Sequence, residues 1–155
     1  MLPLNLPEFE FTFKVKGGRR FIFDTIRKKY LLLSPEEWVR QNFVRYLIEN
    51  KKYPPALIAL EMPFKMNEAN LRSDIVIYNR QGKIVVLVEC KSSQVSLSQQ
   101  VFDQAAGYNL KLNSEILIIT NGLSHYCCRL DYKNKKWIFL NDIPGYSELA
   151  SIGVD

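Results

Sequence analysis

Cysteine and histidine are scarce in this chain. Among 155 residues there are three cysteines, Cys90, Cys127 and Cys128, and one histidine, His125. An odd, low cysteine count with an adjacent pair reads as reduced thiols rather than a disulfide framework. The adjacent pair would be strained as a bridge and lacks the spacing of a zinc site. A lone histidine excludes most imidazole metal centres and argues against serine or cysteine triads, which need a histidine base. No apolar run approaches the roughly 20 residues required to cross a bilayer, so no membrane association is expected. The opening stretch, MLPLNLPEFEF, has neither a basic n-region nor an apolar h-region, which leaves a cytoplasmic location as the expectation. Repeats and low-complexity tracts are absent too.

What is present is the composition of an ordinary globular domain. Apolar residues make up 47% and charged residues 24%, which sets aside disordered, collagen-like and coiled-coil readings. The length supports one domain with a real core, expected over residues 1–155, and is too short for two. The net charge of +5 permits a polyanionic partner without requiring one.

The hydropathy pattern predicts a series of elements. Phe9, Phe11, Phe13 and Val15 alternate with polar residues, Gly17-Gly18 supplies a turn, and the chain returns to Asp24, giving an N-terminal hairpin over 9–24. Ser34 can cap a helix, Pro35 suits its first position, and Glu37 completes a capping-box pattern. Val39, Phe43 and Leu47 then form one stripe at helical spacing, and Pro54-Pro55 prevents continuation. Strands are predicted at Leu57–Phe64, Asp74–Tyr78 and Ile84–Cys90. The unbroken run Ile84–Val88 suits a central strand covered on both faces. Ser96 and Gln99 form a second capping-box pattern, opening a helix to about Lys111. A buried strand follows at Glu115–Thr120, and His125–Asp131 with Trp137–Leu140 closes as a hairpin to about residue 141. This order predicts an α/β sandwich around a mixed sheet, with a core over about residues 34–131.

The chemistry gathers at the end of the most hydrophobic strand. Glu89 and Lys91 fall on one face by the period of two, and Cys90 on the other. Charges at the mouth of a buried strand are costly unless paired or bound to an ion. If the two preceding strands form a hairpin about residues 79–82, Asp74 lies opposite residues 87–89, which brings Asp74, Glu89 and Lys91 into one patch. The plain reading of such a trio is a strand-end salt bridge, contributing about 1 kcal/mol or less.

The spacing of Asp74, fourteen residues and Glu89-Cys90-Lys91 resembles the signature of the PD-(D/E)XK nuclease superfamily, with Ser73 where that signature has proline. Gln104-Ala105-Ala106-Gly107-Tyr108 matches the Gln-x-x-x-Tyr motif that several branches carry on the following helix. From about Ile26 to Asp131 the chain is similar to the N-terminal nuclease domain of type I restriction endonuclease R subunits, in its stand-alone form. The segments that carry this likeness are Pro35–Gln41, Arg72–Ile77, Val88–Lys91, Gln104–Asn109 and Ile119–Gly122. A complete R subunit also has a helicase motor, and this chain contains no Gly-x-x-x-x-Gly-Lys-Ser/Thr loop.

The resemblance implies a restriction-endonuclease-like α/β/α sandwich and a metal-dependent DNA endonuclease. Asp74, Glu89 and the backbone carbonyl of Cys90 would hold Mg²⁺, with Mn²⁺ as a substitute. Lys91 would orient the attacking water and stabilise the phosphate charge. Gln104 and Tyr108 would position the phosphate. An acidic residue from the first helix would be either Glu36, in line with the stripe that faces the sheet, or Glu37, already explained as a capping partner. Arg40, Lys65 and Arg72 are the candidates for DNA contact, although Arg40 could simply pair with a glutamate. The implied partners are DNA, a separate motor or specificity protein, and a second copy of the chain, since a duplex cutter is often a dimer. The alternative function is a catalytically silent module of the same fold that binds DNA or docks a partner.

Overall fold

The sandwich is organised around the run Ile84–Val88. In the computed structural model, which describes residues 1–154, this run lies in strand β6 (Ile84–Cys90), buried on both faces from Val85 onward. A six-stranded sheet surrounds it, comprising β4 (Ile58–Met66), β5 (Ala69–Tyr78), β6, β7 (Ile116–Thr120), β8 (His125–Asp131) and β9 (Lys136–Leu140), in that spatial order. The β6–β7 pair is parallel and every other neighbouring pair is antiparallel. A parallel pair needs a crossover. Helix α2 (Gln99–Leu112) supplies it and packs on one face, where Ala105 meets Val76, Leu87, Leu117 and Ile119. Helix α1 (Pro35–Glu49) covers the other face, placing Val39, Phe43 and Leu47 against Ile75, Ile77, Val86, Val88, Ile116 and Ile118. The mixed-sheet sandwich expected from the sequence is thus the architecture observed. Among the described residues, no helix is long and apolar enough to cross a membrane.

Ahead of the sandwich stands a separate antiparallel sheet of three strands: β1 (Phe13–Lys16), β2 (Arg19–Asp24) and β3 (Lys29–Leu32). Gly17 and Gly18 both take positive φ, +56° and +73°, which suits a two-residue turn between right-twisted strands. Two sequence expectations change here. The first strand begins at Phe13 rather than Phe9, and the hairpin gains a third strand. Lys28-Lys29 had hidden that strand, because a short segment opened by charges carries almost no period-2 signal.

Three further corrections concern boundaries and caps. Strand β4 continues through Pro63 to Met66, which a sheet edge tolerates because proline then forfeits no ladder bond. Its hairpin to β5 turns at Asn67 and Glu68, both at positive φ without a glycine to announce it, so β5 begins at Ala69 rather than Asp74. The cap of α2 is Ser98, whose Oγ accepts from the Val101 N–H, and not Ser96. Half of the capping box on α1 forms: the Glu37 N–H donates to Ser34 Oγ, while the Glu37 carboxylate turns to arginines.

Candidate active site

The sheet end beside the α1 N-terminus collects the charged groups. β5 and β6 pair with Ile75 opposite Val88, so one step further along the same register sets Asp74 opposite Glu89. Both residues are buried, at 6% and 8% exposure, in a setting where an ionised carboxylate is costly. The Cys90 N–H donates to Asp74 Oδ2 at 2.8 Å, stitching the two strand ends together. The Cys90 side chain points into the α1-facing core, where burial pushes its thiol well up, with the Asp74 carboxylate adding to the effect. Lys91 follows with its Nζ 3.6 Å from Glu89 Oε1. Burial, then repulsion from Asp74, raises the Glu89 carboxyl to about 8, against the opposing pull of Lys91.

Helix α1 contributes the other half. Arg40 is buried and its guanidinium meets four carboxylates: Glu36 at 3.1 Å, Glu61 at 2.7 Å, Asp74 at 2.6 Å, and Glu37 through Nη1. The arginine proposed above as a phosphate contact is therefore enclosed by acids, the other option left open for it. Glu37 is fully engaged, by Arg40, by Arg27 at 2.6 Å and by the Gln41 amide. Glu36 is half-exposed and lies in the field of Asp74, which together with the larger effect of burial raises its carboxyl. Of the two first-helix candidates, Glu36 is thus the one that faces the Asp74 region without a second arginine to neutralise it.

Sequence reasoning missed Glu61. It lies between Leu60, which pairs with Ile75, and Met62, which pairs with Ser73, so it falls opposite Asp74 on the neighbouring strand, and it adopts φ +54°. The available signal was a lone acid inside the apolar stretch Ile58–Phe64, the same cue that singled out Glu89. Arg72 is exposed with its guanidinium 3.9 Å from Glu61, and Lys65 is exposed further along β4. On α2, Tyr108 is half-buried with its ring edge-on to Phe64, at 5.7 Å between centroids, whereas Gln104 is exposed. Among the described residues, neither side chain makes a hydrogen bond to the carboxylates.

The donor set limits which metal could fit. Among the described residues, no three His, Cys, Asp or Glu side chains converge as a ligand group. A dedicated zinc or calcium cage is therefore not formed. Two close carboxylates that repel one another, beside a backbone carbonyl, suit Mg²⁺, which takes one or two protein carboxylates and keeps waters for the remaining positions. Asp74 retains acceptor capacity for this, since each of its oxygens is engaged by a single donor residue, Arg40 or Cys90.

No curated protein matches the chain. Among solved structures it is similar to a fragment described as an HsdR subunit of a type I restriction enzyme from Vibrio vulnificus YJ016, with 20% identity and a TM-score of 0.56. That match covers 77% of this chain and 25% of the other, so the chain spans about a quarter of that structure, and the likeness is one of fold. A protein from Anabaena variabilis described as a nuclease of the DUF820 group is 13% identical, with a TM-score of 0.47, over 94% of this chain and 88% of that one. The family model for the type I restriction enzyme R protein N terminus (HSDR_N) matches residues 35–144. That stretch runs from the first residue of α1 to just beyond β9 and contains Glu36, Asp74, Glu89 and Lys91. The chain therefore belongs to the family of type I restriction enzyme R protein N termini.

Proposed function

We propose that this chain is a metal-dependent DNA endonuclease module that hydrolyses phosphodiester bonds without a motor of its own. The observation that carries the reading is the juxtaposition of Asp74 and Glu89 on paired strands, with the Lys91 ammonium 3.6 Å from Glu89. Two buried carboxylates facing each other oppose folding; Arg40 and Lys91 offset this only in part, since the Glu89 carboxyl is still raised to about 8, and a bound divalent cation would complete the offset.

Asp74, Glu89 and the Cys90 carbonyl would hold Mg²⁺, or Mn²⁺ in its place, with Glu36 reaching the same region from α1. When bound, the ion supplies Lewis-acid activation of water and of the scissile phosphate. Arg40 fixes Asp74 Oδ1 in place and the Cys90 N–H fixes Oδ2, so the carboxylate is oriented before any ligand arrives. Lys91 is only partly exposed, so its ammonium is available at the site mouth to orient a water and to offset charge growing on phosphate oxygens. Gln104 and Tyr108, on the outward part of α2, would contact phosphate or water on the substrate side. Lys65 and Arg72, exposed along the β4–β5 hairpin, would contact the DNA backbone.

The test is nicking of supercoiled plasmid in Mg²⁺ or Mn²⁺, with wild type beside Lys91→Ala and an EDTA control. Metal-dependent nicking should fall by at least about a hundredfold in the variant, as when a charge-stabilising donor is removed elsewhere. Nicking that survives Lys91→Ala would place the chemistry in another site. No nicking with retained calorimetric Mn²⁺ binding would assign a binding module instead.

A further inference from the structure

The basic residues of the N-terminal sheet play no part in the site described above. Residues 13–32 hold seven basic side chains and one acidic, Asp24, a net of +6. The whole chain carries +5, so everything outside this sheet sums to −1. The charge that makes the protein basic therefore resides in one short ribbon. Arg27 is ion-paired. The other six, Lys14, Lys16, Arg19, Arg20, Lys28 and Lys29, are exposed, and among the described residues none has a carboxylate partner. Six unpaired cations gathered on one small element repel each other, and a polyanion would relieve that repulsion.

The placement of the ribbon gives this charge a direction. Its inner face buries Ile22 and Asp24. Asp24 binds Arg27, Arg27 binds Glu37, Glu37 binds Arg40, and Arg40 binds Asp74. An unbroken chain of ion pairs thus runs from the base of the ribbon to the carboxylate site. Only Leu33 and Ser34 separate β3 from α1, whose first turn carries Glu36. The β1–β2 hairpin extends about 20 Å from that anchor, at the rise of six extended residues.

From this placement we infer that the β1–β3 ribbon is a docking arm for the sugar-phosphate backbone of duplex DNA, holding it across the Asp74–Glu89 site. The inference rests on the nuclease reading above and deepens it by naming the form of the substrate. Duplex is favoured over single strand by the aromatic rings on the outer face. Phe23 and Tyr30 pack on each other at 5.1 Å, and Lys14 Nζ caps Tyr30 at 4.1 Å. The more exposed Phe13 ring is met by the Arg20 guanidinium at 5.1 Å and by the rings of Phe11 and Trp38, so the ribbon's rings are engaged and its surface offers cations rather than free faces for unstacked bases.

The experiment measures anisotropy of a labelled short duplex and of its single strand, in EDTA so that nothing is cut, across a salt series. The ribbon variant is Lys16→Gln, Arg19→Gln and Lys29→Gln together. A second triple that removes the same charge, Lys111→Gln, Lys133→Gln and Lys136→Gln, controls for overall charge. For the ribbon variant, duplex affinity should fall by at least about tenfold. Its log–log salt slope should shrink by about 3, near 0.9 for each phosphate that is no longer neutralised. The control triple should keep the wild-type slope. Equal weakening in both triples, unchanged binding by the ribbon triple, or tighter binding of the single strand would each overturn the assignment. Failure of the nuclease reading is separately visible: ribbon-dependent duplex binding without any metal-dependent nicking would retain the arm and remove the catalyst.

Discussion

At the scale of single residues, the site sets one guanidinium against four carboxylates, with the remaining Nε of Arg40 buried and without an acceptor among the described residues. Removing Arg40 leaves the buried carboxylates of Asp74 and Glu37 without this partner, a loss of roughly 3–5 kcal/mol. Glu89 differs because its nearest cation, Lys91, stands 3.6 Å away and does not outweigh burial and Asp74. Its carboxyl titrates at about 8 in the folded chain against 4.5 ordinarily. Between those values the folded state binds more protons than the unfolded one. This contribution to stability is therefore full below about pH 4.5 and declines as pH rises toward about 8. The urea midpoint of the metal-free protein should accordingly fall across that window, and Glu89→Gln should flatten the fall. Mg²⁺ would displace the proton, so its stabilising effect should grow with pH over the same range. A wild-type midpoint that stayed level between about pH 5 and 8 would contradict this account.

At the scale of elements, legibility followed the strength of the local signal. Helix α1 was legible because Ser34-Pro35 and the Val39–Phe43–Leu47 stripe agree, and all three stripe residues are fully buried. Strand β6 was legible because an apolar β-branched run has few other uses. A short turn at about 79–82 was enough to set Asp74 opposite residues 87–89, while the choice of Glu89 within that range depends on the register shift at Ile77 and Tyr78, which no sequence signal announced. What was not legible depended on tertiary context. Glu61 and Arg40 meet only once β4 and α1 converge beside Asp74, and the Asn67-Glu68 turn adopts positive φ without a glycine to mark it. The α2 cap was misplaced by two residues because Ser96 and Ser98 are chemically equivalent in a string. Capping chemistry now separates them: Ser98→Ala should lower stability by about 1 kcal/mol, and Ser96→Ala should stay within about 0.5 kcal/mol. Urea unfolding of the two variants side by side measures the difference, and equal effects would mean the helix starts elsewhere.

At the scale of the whole molecule, the chain joins a nearly neutral sandwich to a strongly basic ribbon, and it spans about a quarter of the HsdR fragment it resembles. The sequence contains no phosphate-binding Gly-x-x-x-x-Gly-Lys-Ser/Thr loop. Plasmid nicking by the isolated chain should therefore proceed at the same rate with and without ATP, measured by gel densitometry over a time course. An ATP-dependent rate would require a nucleotide site of another kind. The connectivity of the site also bears on how the protein forms. Asp74 and Glu89 belong to one hairpin with a five-residue connection, whereas Arg40 stands 34 residues from Asp74 along the chain. Local contacts close before distant ones. By that order the chain would meet the repulsion between its two acids before the neutralising arginine arrives, and acid or a divalent ion would then act on the folding rate and not on final stability alone.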